Sequence, residues 1–269
     1  MTRFWEKKEP LNRGLLALLL WSAVSVGPAC ASPSLWGDTG LIAAPSDQIG
    51  LDGRLSLGYT RTLGPGSFES APVPNNVYFI NLSLLPRVEF VLIYNQVITG
   101  VPDNDLLYLK ESSIDRSLNI KVQVLREAEL AKWTPNIVIG ARDPAGNSDT
   151  NPVLPSAANP SGIIAFHSRA YYGVIGKTVA GWHVDAGYAL GPQSQARPYV
   201  PGNKDFRLRG IFGGIESPPL YGLLRGMAEY DSQRLNLGAS IGPFWGFNLK
   251  PVLIELTHFS IGASWTVNL

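Results

Sequence analysis

The stretch HFSIGASWTVNL, residues 258–269, decides the fold. Apolar side chains occupy every second position up to the last residue of the chain: Phe259, Ile261, Ala263, Trp265, Val267 and Leu269. The positions between them hold His, Ser, Gly, Thr and Asn. Successive side chains of a β-strand point to opposite faces, so this alternation predicts a strand with one apolar and one polar face. A perfect amphipathic strand at the end of a chain is typical of outer-membrane β-barrels, where it closes the cylinder.

The same strand resembles the signal that the barrel assembly machinery reads. The predicted signal residues are the aromatic and aliphatic ones on its apolar face: Phe259, Ile261, Trp265, Val267 and Leu269. Such signals usually end in Phe, and Leu269 replaces it here. If this face meets lipid, Ala263→Arg is expected to cost more than Ser264→Arg, which enters a polar lumen.

Alternation of period two recurs along the chain. In residues 117–124, for example, Leu118, Ile120, Val122 and Val124 oppose Ser117, Asn119, Lys121 and Gln123. Counting such segments predicts about twelve strands, and bacterial single-chain barrels have even strand numbers. The predicted strands are 53–62, 76–85, 88–97, 114–124, 134–142, 167–178, 181–190, 206–215, 221–231, 234–243, 245–256 and 257–269.

The alternation is interrupted at two places, which predict a bulge and a loop. The apolar set moves from odd to even positions at Lys250-Pro251, and Pro cannot donate to a strand ladder, so a bulge or break is expected there. Residues 143–162, DPAGNSDTNPVLPSAANPSG, predict an exposed loop. Both fit an all-β, transmembrane, antiparallel up-and-down barrel of about twelve strands. A soluble β-sandwich would also alternate, with its apolar face inward.

The N-terminus predicts export. Basic residues precede the uncharged apolar run 14–27, and Ala29-Cys30-Ala31 is a small-x-small cleavage site. We therefore expect a signal peptide at 1–31, removed together with Cys30, and one barrel domain at 32–269. Acylation of Cys30 and a retained anchor helix are the alternatives. Charged residues make up 16% of the chain, below the roughly 25% usual for soluble domains.

The polar face of the strands supplies candidate lumen residues. These are Lys121, Arg142, Asp185, Arg207, Arg209, Arg225, Glu229 and Asp231. Glu229 and Asp231 share a face with Arg225, and we interpret them as an ion-pair set completed by Arg207 and Arg209. A glycosidase would also use two carboxylates, but residues two apart on any strand meet that spacing. Arg142-Asp143 is expected to begin a turn, because Asp before Pro favours turns.

Catalysis, metals and cofactors are not expected from the residue patterns. The three histidines are His167, His183 and His258, and none has the H-x-x-x-H spacing of a metal site. His183 with Asp185, and His167 beside Ser168, keep a barrel hydrolase open as an alternative. The formal charge of +1 gives no sign of nucleic-acid binding.

Three stretches together resemble the YjbH family of outer-membrane exopolysaccharide proteins. They are WGDTGLIAAPSDQIGLDGRLSLGYTR at 36–61, DRSLNIKVQVLREAEL with PNIVIGARDPAG at 115–130 and 135–146, and AEYDSQRLNLGASI at 228–241. The resemblance implies a role in producing or exporting an extracellular polysaccharide, and this chain is shorter than many members. We therefore expect a non-enzymatic outer-membrane barrel whose partners are lipid, the assembly machinery, exopolysaccharide and other export proteins. A general small-solute channel is the other alternative.

Overall fold

A computed structural model describes residues 32–50, 53–63, 75–99, 111–145, 169–191 and 208–269. The expected signal peptide, residues 146–162 of the expected loop, Arg207, His167 and Ser168 lie outside these residues. The described part of the chain contains no helix long and apolar enough to span a membrane.

Twelve antiparallel strands form one closed barrel, each paired with its neighbours in the chain. The strands are β1 Arg54–Leu63, β2 Asn75–Leu85, β3 Val88–Thr99, β4 Glu111–Leu125, β5 Asn136–Arg142, β6 Ala170–Val179, β7 Trp182–Leu190, β8 Gly210–Glu216, β9 Leu224–Tyr230, β10 Leu235–Phe244, β11 Phe247–Ile254 and β12 His258–Asn268. The predicted all-β class, antiparallel order and strand number are confirmed, and the strand bounds differ from the predicted ones by only a few residues.

The last strand closes the cylinder, as its alternation predicts. β12 pairs with β1 in unbroken register from Arg54↔Asn268 to Leu63↔Phe259. The backbone N–H of Leu269 also donates to the carbonyl of Gly53, at 2.6 Å. Both ends of the barrel chain therefore meet at the same rim.

The two rims of the barrel differ in the length of their connections. At one rim, called the turn end, the strands are joined through residues 86–87, 126–135, 180–181, 217–223 and 245–246. At the other, the loop end, they are joined through 64–74, 100–110, 143–169, 191–209, 231–234 and 255–257. Two of the shortest turns, Ala180-Gly181 and Trp245-Gly246, have positive φ at both residues. This is the geometry of the type I′ turn, whose twist matches that of a hairpin.

Side chains alternate between the inside and the outside of the barrel. In β7, His183 and Asp185 are buried, whereas Trp182, Val184 and Tyr188 are exposed. In β12, Ser260, Gly262 and Ser264 are buried, whereas Phe259 and Trp265 are exposed. The exposed face is therefore the apolar one, which is the reverse of a soluble sandwich.

The bulge expected at Lys250-Pro251 is wrong. β11 continues through it, with Lys250 opposite Gly262 and Pro251 opposite Ile261. The register shift lies instead in β10, between Ile241 and Phe244. The apolar set changes position because Val252 and Ile254 face inward, where they pack on an apolar cluster inside the barrel.

The inside of the barrel is filled by residues 32–50, which we call the plug. Bridges Pro33↔Thr39 and Gly40↔Pro45 fold the plug back on itself. Most of its residues are buried, including Asp38, Ile42 and Asp47, each with 0% of its surface exposed. The main core of the protein therefore lies in the lumen, between the plug and the wall.

Candidate functional site: the lumen and its plug

Buried glutamates of the wall accept hydrogen bonds from the backbone of the plug. Glu229 in β9 accepts from the N–H groups of Ile42, Ala43 and Ala44, at 2.8 to 3.1 Å. Glu89 in β3 accepts from the N–H of Thr39 at 2.8 Å and of Gly50 at 3.3 Å, and also from the Thr39 hydroxyl. Non-strand backbone inside a barrel needs such partners, because a buried N–H without an acceptor is costly.

Two buried lysines of the wall donate hydrogen bonds to the backbone carbonyls of the plug. Lys250 Nζ donates to the carbonyls of Pro33, Gly40 and Leu41, at 2.6 to 3.1 Å. Lys121 Nζ donates to the carbonyl of Thr39 at 2.6 Å. An ammonium group has three donors, and Lys250 uses them all on the plug. The inward charged side chains therefore form hydrogen bonds with the backbone N–H and C=O groups of the plug.

Two acidic side chains of the plug pair with the wall. Asp38 accepts three hydrogen bonds from the Arg142 guanidinium, at 2.7 to 3.1 Å. Asp47 Oδ1 lies 2.6 Å from His183 Nε2. Arg142 is near the loop end of β5 and His183 near the turn end of β7, so the two pairs hold the plug at opposite levels of the barrel.

Apolar contacts complete the fit. Leu35, Ile42 and Ala43 of the plug cluster with inward Met227, Val252 and Ile254. Ala44 joins a second cluster that includes Tyr172 and Phe212, whose rings meet edge to face at 6.4 Å between centroids.

Inward glycines make room for plug side chains. A Cβ at Gly176 would lie 2.4 Å from the carboxyl carbon of Asp47, and one at Gly214 would lie 2.4 Å from Leu41 Cδ1. The structure shows that their missing side chains are replaced by those of the plug.

The cavities that the described residues line between plug and wall are small. Two cavities of about 10 Å³ each lie beside Leu35, one lined partly by Pro33 and Ser264 and the other by Trp36 and Ile254. A cavity of that volume holds roughly one water molecule.

The structure places the predicted lumen residues in three groups. Lys121, Arg142, Asp185 and Glu229 are inward and buried. Arg225 and Asp231 are partly buried at the two ends of β9. Arg209 is exposed, so its prediction as a lumen residue is wrong. It follows the buried Leu208 and precedes β8, whose Phe212 faces inward, and it therefore falls on the outward side.

Arg225 does not pair with Glu229 as predicted, and Arg207, another member of the predicted ion-pair set, lies outside the described residues. Arg225 pairs with Glu216 of the neighbouring strand at 2.7 Å. Arg225 lies near the turn end of β9, whereas Glu229 lies near its loop end. Glu229 accepts hydrogen bonds from the plug backbone instead. Asp231 Oδ1 accepts from the N–H groups of Gln233 and Arg234 and stabilises the tight β9–β10 turn.

The sequence pattern does not predict several residues that form contacts between plug and wall. They are Asp38, Asp47, Glu89 and Lys250. Glu89 and Lys250 alternate with apolar neighbours, a signal that marks them as inward. Nothing in the plug sequence gives its position, because its partners lie up to 217 residues away.

Two of the three histidines, His183 and His258, lie in the described part of the chain and have different surroundings. His183 contacts Asp47 through Nε2, and its Nδ1 lies 3.3 Å from Thr178 Oγ1. His258 lies at the loop end of β12, with its Nε2 3.9 Å from Glu255.

The turn end carries a small exposed ion pair. Arg87 donates to Glu129 at 2.5 Å, and the backbone N–H of Arg126 donates to the same carboxylate at 2.9 Å. Both contacts, the backbone hydrogen bond first, lower the pKa of Glu129.

The fold and the site together define a class: closed antiparallel barrels whose lumen holds a segment that precedes the first strand. Residues 32–149 match the family model YjbH, described as the exopolysaccharide biosynthesis protein YbjH. The resemblance to the YjbH family is thus confirmed over these residues, which include the plug and β1 to β5. The third resembling stretch, 228–241, lies outside the matched part. A search of curated proteins found no match to the chain.

Proposed function

We propose that this protein is an outer-membrane barrel that assists the production or export of an exopolysaccharide, with its lumen closed by the plug. The family match supports the link to polysaccharide. The filled lumen is the observation that carries the rest, because it argues against a permanently open solute channel.

The outer face of the barrel supports a place in a bilayer. Exposed apolar side chains form a row across paired strands, with Trp265 opposite Leu57, Leu57 opposite Ile80, and Ile80 opposite Leu92. Membrane barrels carry such an apolar band, roughly 25 Å tall, between two aromatic girdles.

Aromatic side chains also follow the two rims. Exposed aromatics near the turn end are Trp133, Trp182, Tyr221, Phe244, Trp245 and Phe247. Exposed aromatics toward the loop end, among the described residues, include Tyr78, Tyr171, Tyr188, Tyr230 and Phe259. Trp and Tyr favour the membrane–water interface, where the ring is buried and its polar group stays hydrated.

The connection lengths support an orientation. Outer-membrane barrels have short periplasmic turns and longer extracellular loops. We therefore place the turn end, with the chain terminus Leu269, in the periplasm and the loop end outside. The loop end is then the rim that meets the polysaccharide.

A signal peptide at 1–31 is part of the proposal. The carbonyl of Ser32 accepts the N–H of Gly40 inside the plug at 3.2 Å. Cleavage after Ala31 would leave a mature N-terminus that is already within the barrel. N-terminal sequencing of the membrane form should give Ser32, whereas an acylated Cys30 would contradict this cleavage.

The function is tested by deleting the gene and complementing it. Wild-type protein should restore extracellular polysaccharide and appear in the outer-membrane fraction as a heat-modifiable band. In planar bilayers the purified wild type should show no steady conductance. Normal polysaccharide in the deletion strain would contradict the polysaccharide role, and steady conductance of the wild type would favour the solute channel.

A further inference from the structure

Three side chains with metal-ligand chemistry meet where the plug passes β7. Asp47 comes from the plug, and His183 and Asp185 come from the wall. One ligand atom from each lies within 4.8 Å of the others, and all three residues are buried. His183 and Asp185 are two residues apart on a strand and therefore face the same side. Asp47 reaches them from 136 residues earlier in the chain.

The two carboxylates have more acceptor atoms than the described residues satisfy. Asp47 Oδ1 contacts His183, and Asp185 Oδ1 accepts the N–H of Gly214 at 2.9 Å. The second oxygen of each carboxylate, Oδ2, is buried and has no hydrogen-bond partner among the described residues. Unpaired buried carboxylate oxygens are costly and call for a partner such as an ion.

The charges around the cluster leave a deficit of positive charge. His183 is the one basic side chain that contacts either carboxylate among the described residues. Glu216 lies opposite His183 in β8, and its charge is balanced by Arg225. A divalent cation would balance the charges of Asp47 and Asp185 together.

The surroundings also orient the imidazole. Thr178 Oγ1 donates to Glu127 at 3.1 Å, which leaves its lone pair for the Nδ1–H of His183 at 3.3 Å. Nε2 is then directed at Asp47. Histidine ligands commonly donate their other N–H to such a partner. Gly176 leaves the space that the Asp47 carboxylate occupies.

We propose that Asp47, His183 and Asp185 bind one Zn²⁺ ion, which fastens the plug to the barrel wall. One imidazole nitrogen with carboxylate oxygens is a ligand set that Zn²⁺ accepts, whereas Mg²⁺ and Ca²⁺ prefer oxygen alone. Binding replaces the proton on Nε2, so affinity falls as the pH is lowered. The inference rests on the fold and is independent of the polysaccharide role.

The test uses the mature chain folded in detergent, stripped with EDTA and titrated with ZnCl₂. We expect one tightly bound Zn²⁺ per chain and a higher unfolding temperature when it is bound. Asp47→Asn and Asp185→Asn should each weaken binding by at least about tenfold, the loss that even outer-shell changes cause. Asp231→Asn and His258→Gln are matched controls and should keep the wild-type affinity.

Folding of each variant is checked by heat-modifiability, and Thr178→Val serves as a milder variant if the Asn variants do not fold. Failure of the wild type to bind Zn²⁺ would overturn the proposal. So would an equal affinity in the Asp variants, a loss confined to His258→Gln, or displacement of Zn²⁺ by equimolar Mg²⁺ or Ca²⁺.

Discussion

Arg142 of the barrel wall and Asp38 of the plug form a buried ion pair that joins positions 104 residues apart. Their side chains are 7% and 1% exposed. The same guanidinium donates to the carbonyl of Ala43 at 2.9 Å. One arginine therefore contacts the plug at two positions, Asp38 and Ala43, at the level where β5 reaches the loop end.

Breaking this pair from either side should loosen the plug. Arg142→Met leaves the Asp38 carboxylate buried without its partner, and removing one member of a buried pair typically costs about 3–5 kcal/mol. Asp38→Asn keeps the shape and should cost less. The free energy of unfolding in lipid vesicles measures both.

A matched control is Arg209→Met, because Arg209 is exposed. It should stay within about 0.5 kcal/mol of the wild type, as surface changes usually do. An equal loss in Arg142→Met and Arg209→Met would mean that the pair contributes nothing specific.

Glu229→Gln tests the contact between the wall and the plug backbone. The glutamine keeps one acceptor oxygen but turns an NH₂ group toward the donors Ile42, Ala43 and Ala44. Leaving buried donors unsatisfied costs about 1–3 kcal/mol. We expect that loss in unfolding free energy and easier protease cleavage within residues 32–50.

Glu129→Gln is the control for the charge change, because Glu129 lies in an exposed turn. Protease resistance that is the same in the Glu229 and Glu129 variants would show that the plug does not depend on Glu229.

The glycines on β6 separate the inner from the outer surface. Gly176→Ala places a Cβ at 2.4 Å from the Asp47 carboxyl carbon, whereas at Gly173 the nearest atom is the Val138 carbonyl at 3.9 Å. Overpacking a filled interior costs about 1–3 kcal/mol. We expect Gly176→Ala to lower the unfolding free energy by that amount and Gly173→Ala to leave it nearly unchanged. A similar effect of both changes would argue that the lumen has free space at Gly176.

Alternation was sufficient to predict the barrel but not the plug. Each strand has its own period-two pattern, which is visible in the local sequence. The closing strand 258–269 can therefore be predicted from its own residues alone. The plug has no such period, and its contacts with Glu229 or Lys250 are non-local. The sequence pattern predicts Lys121 as part of a polar lumen lining, because sequence shows that a side chain is charged but not what fills the space beside it. For the same reason, the shift of the apolar pattern at Val252 and Ile254 predicts a break in register, whereas both side chains face inward in a continuous strand.

The last prediction concerns neighbouring positions of β12. Ala263→Arg puts a charge on the outer face, which in a bilayer costs roughly 2–4 kcal/mol near the midplane. Ser264→Arg was expected to be milder, but Ser264 is buried and lines a cavity of only about 10 Å³ together with Pro33 and Lys250. The new side chain must displace the plug, and its charge approaches the Lys250 ammonium.

Both arginines should therefore lower the unfolding free energy in lipid vesicles, but for different reasons, and conductance distinguishes them. Ser264→Arg should open the lumen and conduct in planar bilayers, because it expels the plug near Pro33. Ala263→Arg should stay closed, because its side chain never enters the lumen. Ala263→Leu and Ser264→Ala are the matched controls, and both should fold and stay closed. Conductance in Ala263→Arg with none in Ser264→Arg would reverse the assignment of the two faces. If neither arginine variant loses stability, the outer face does not meet lipid and the plug does not fill the space beside Ser264.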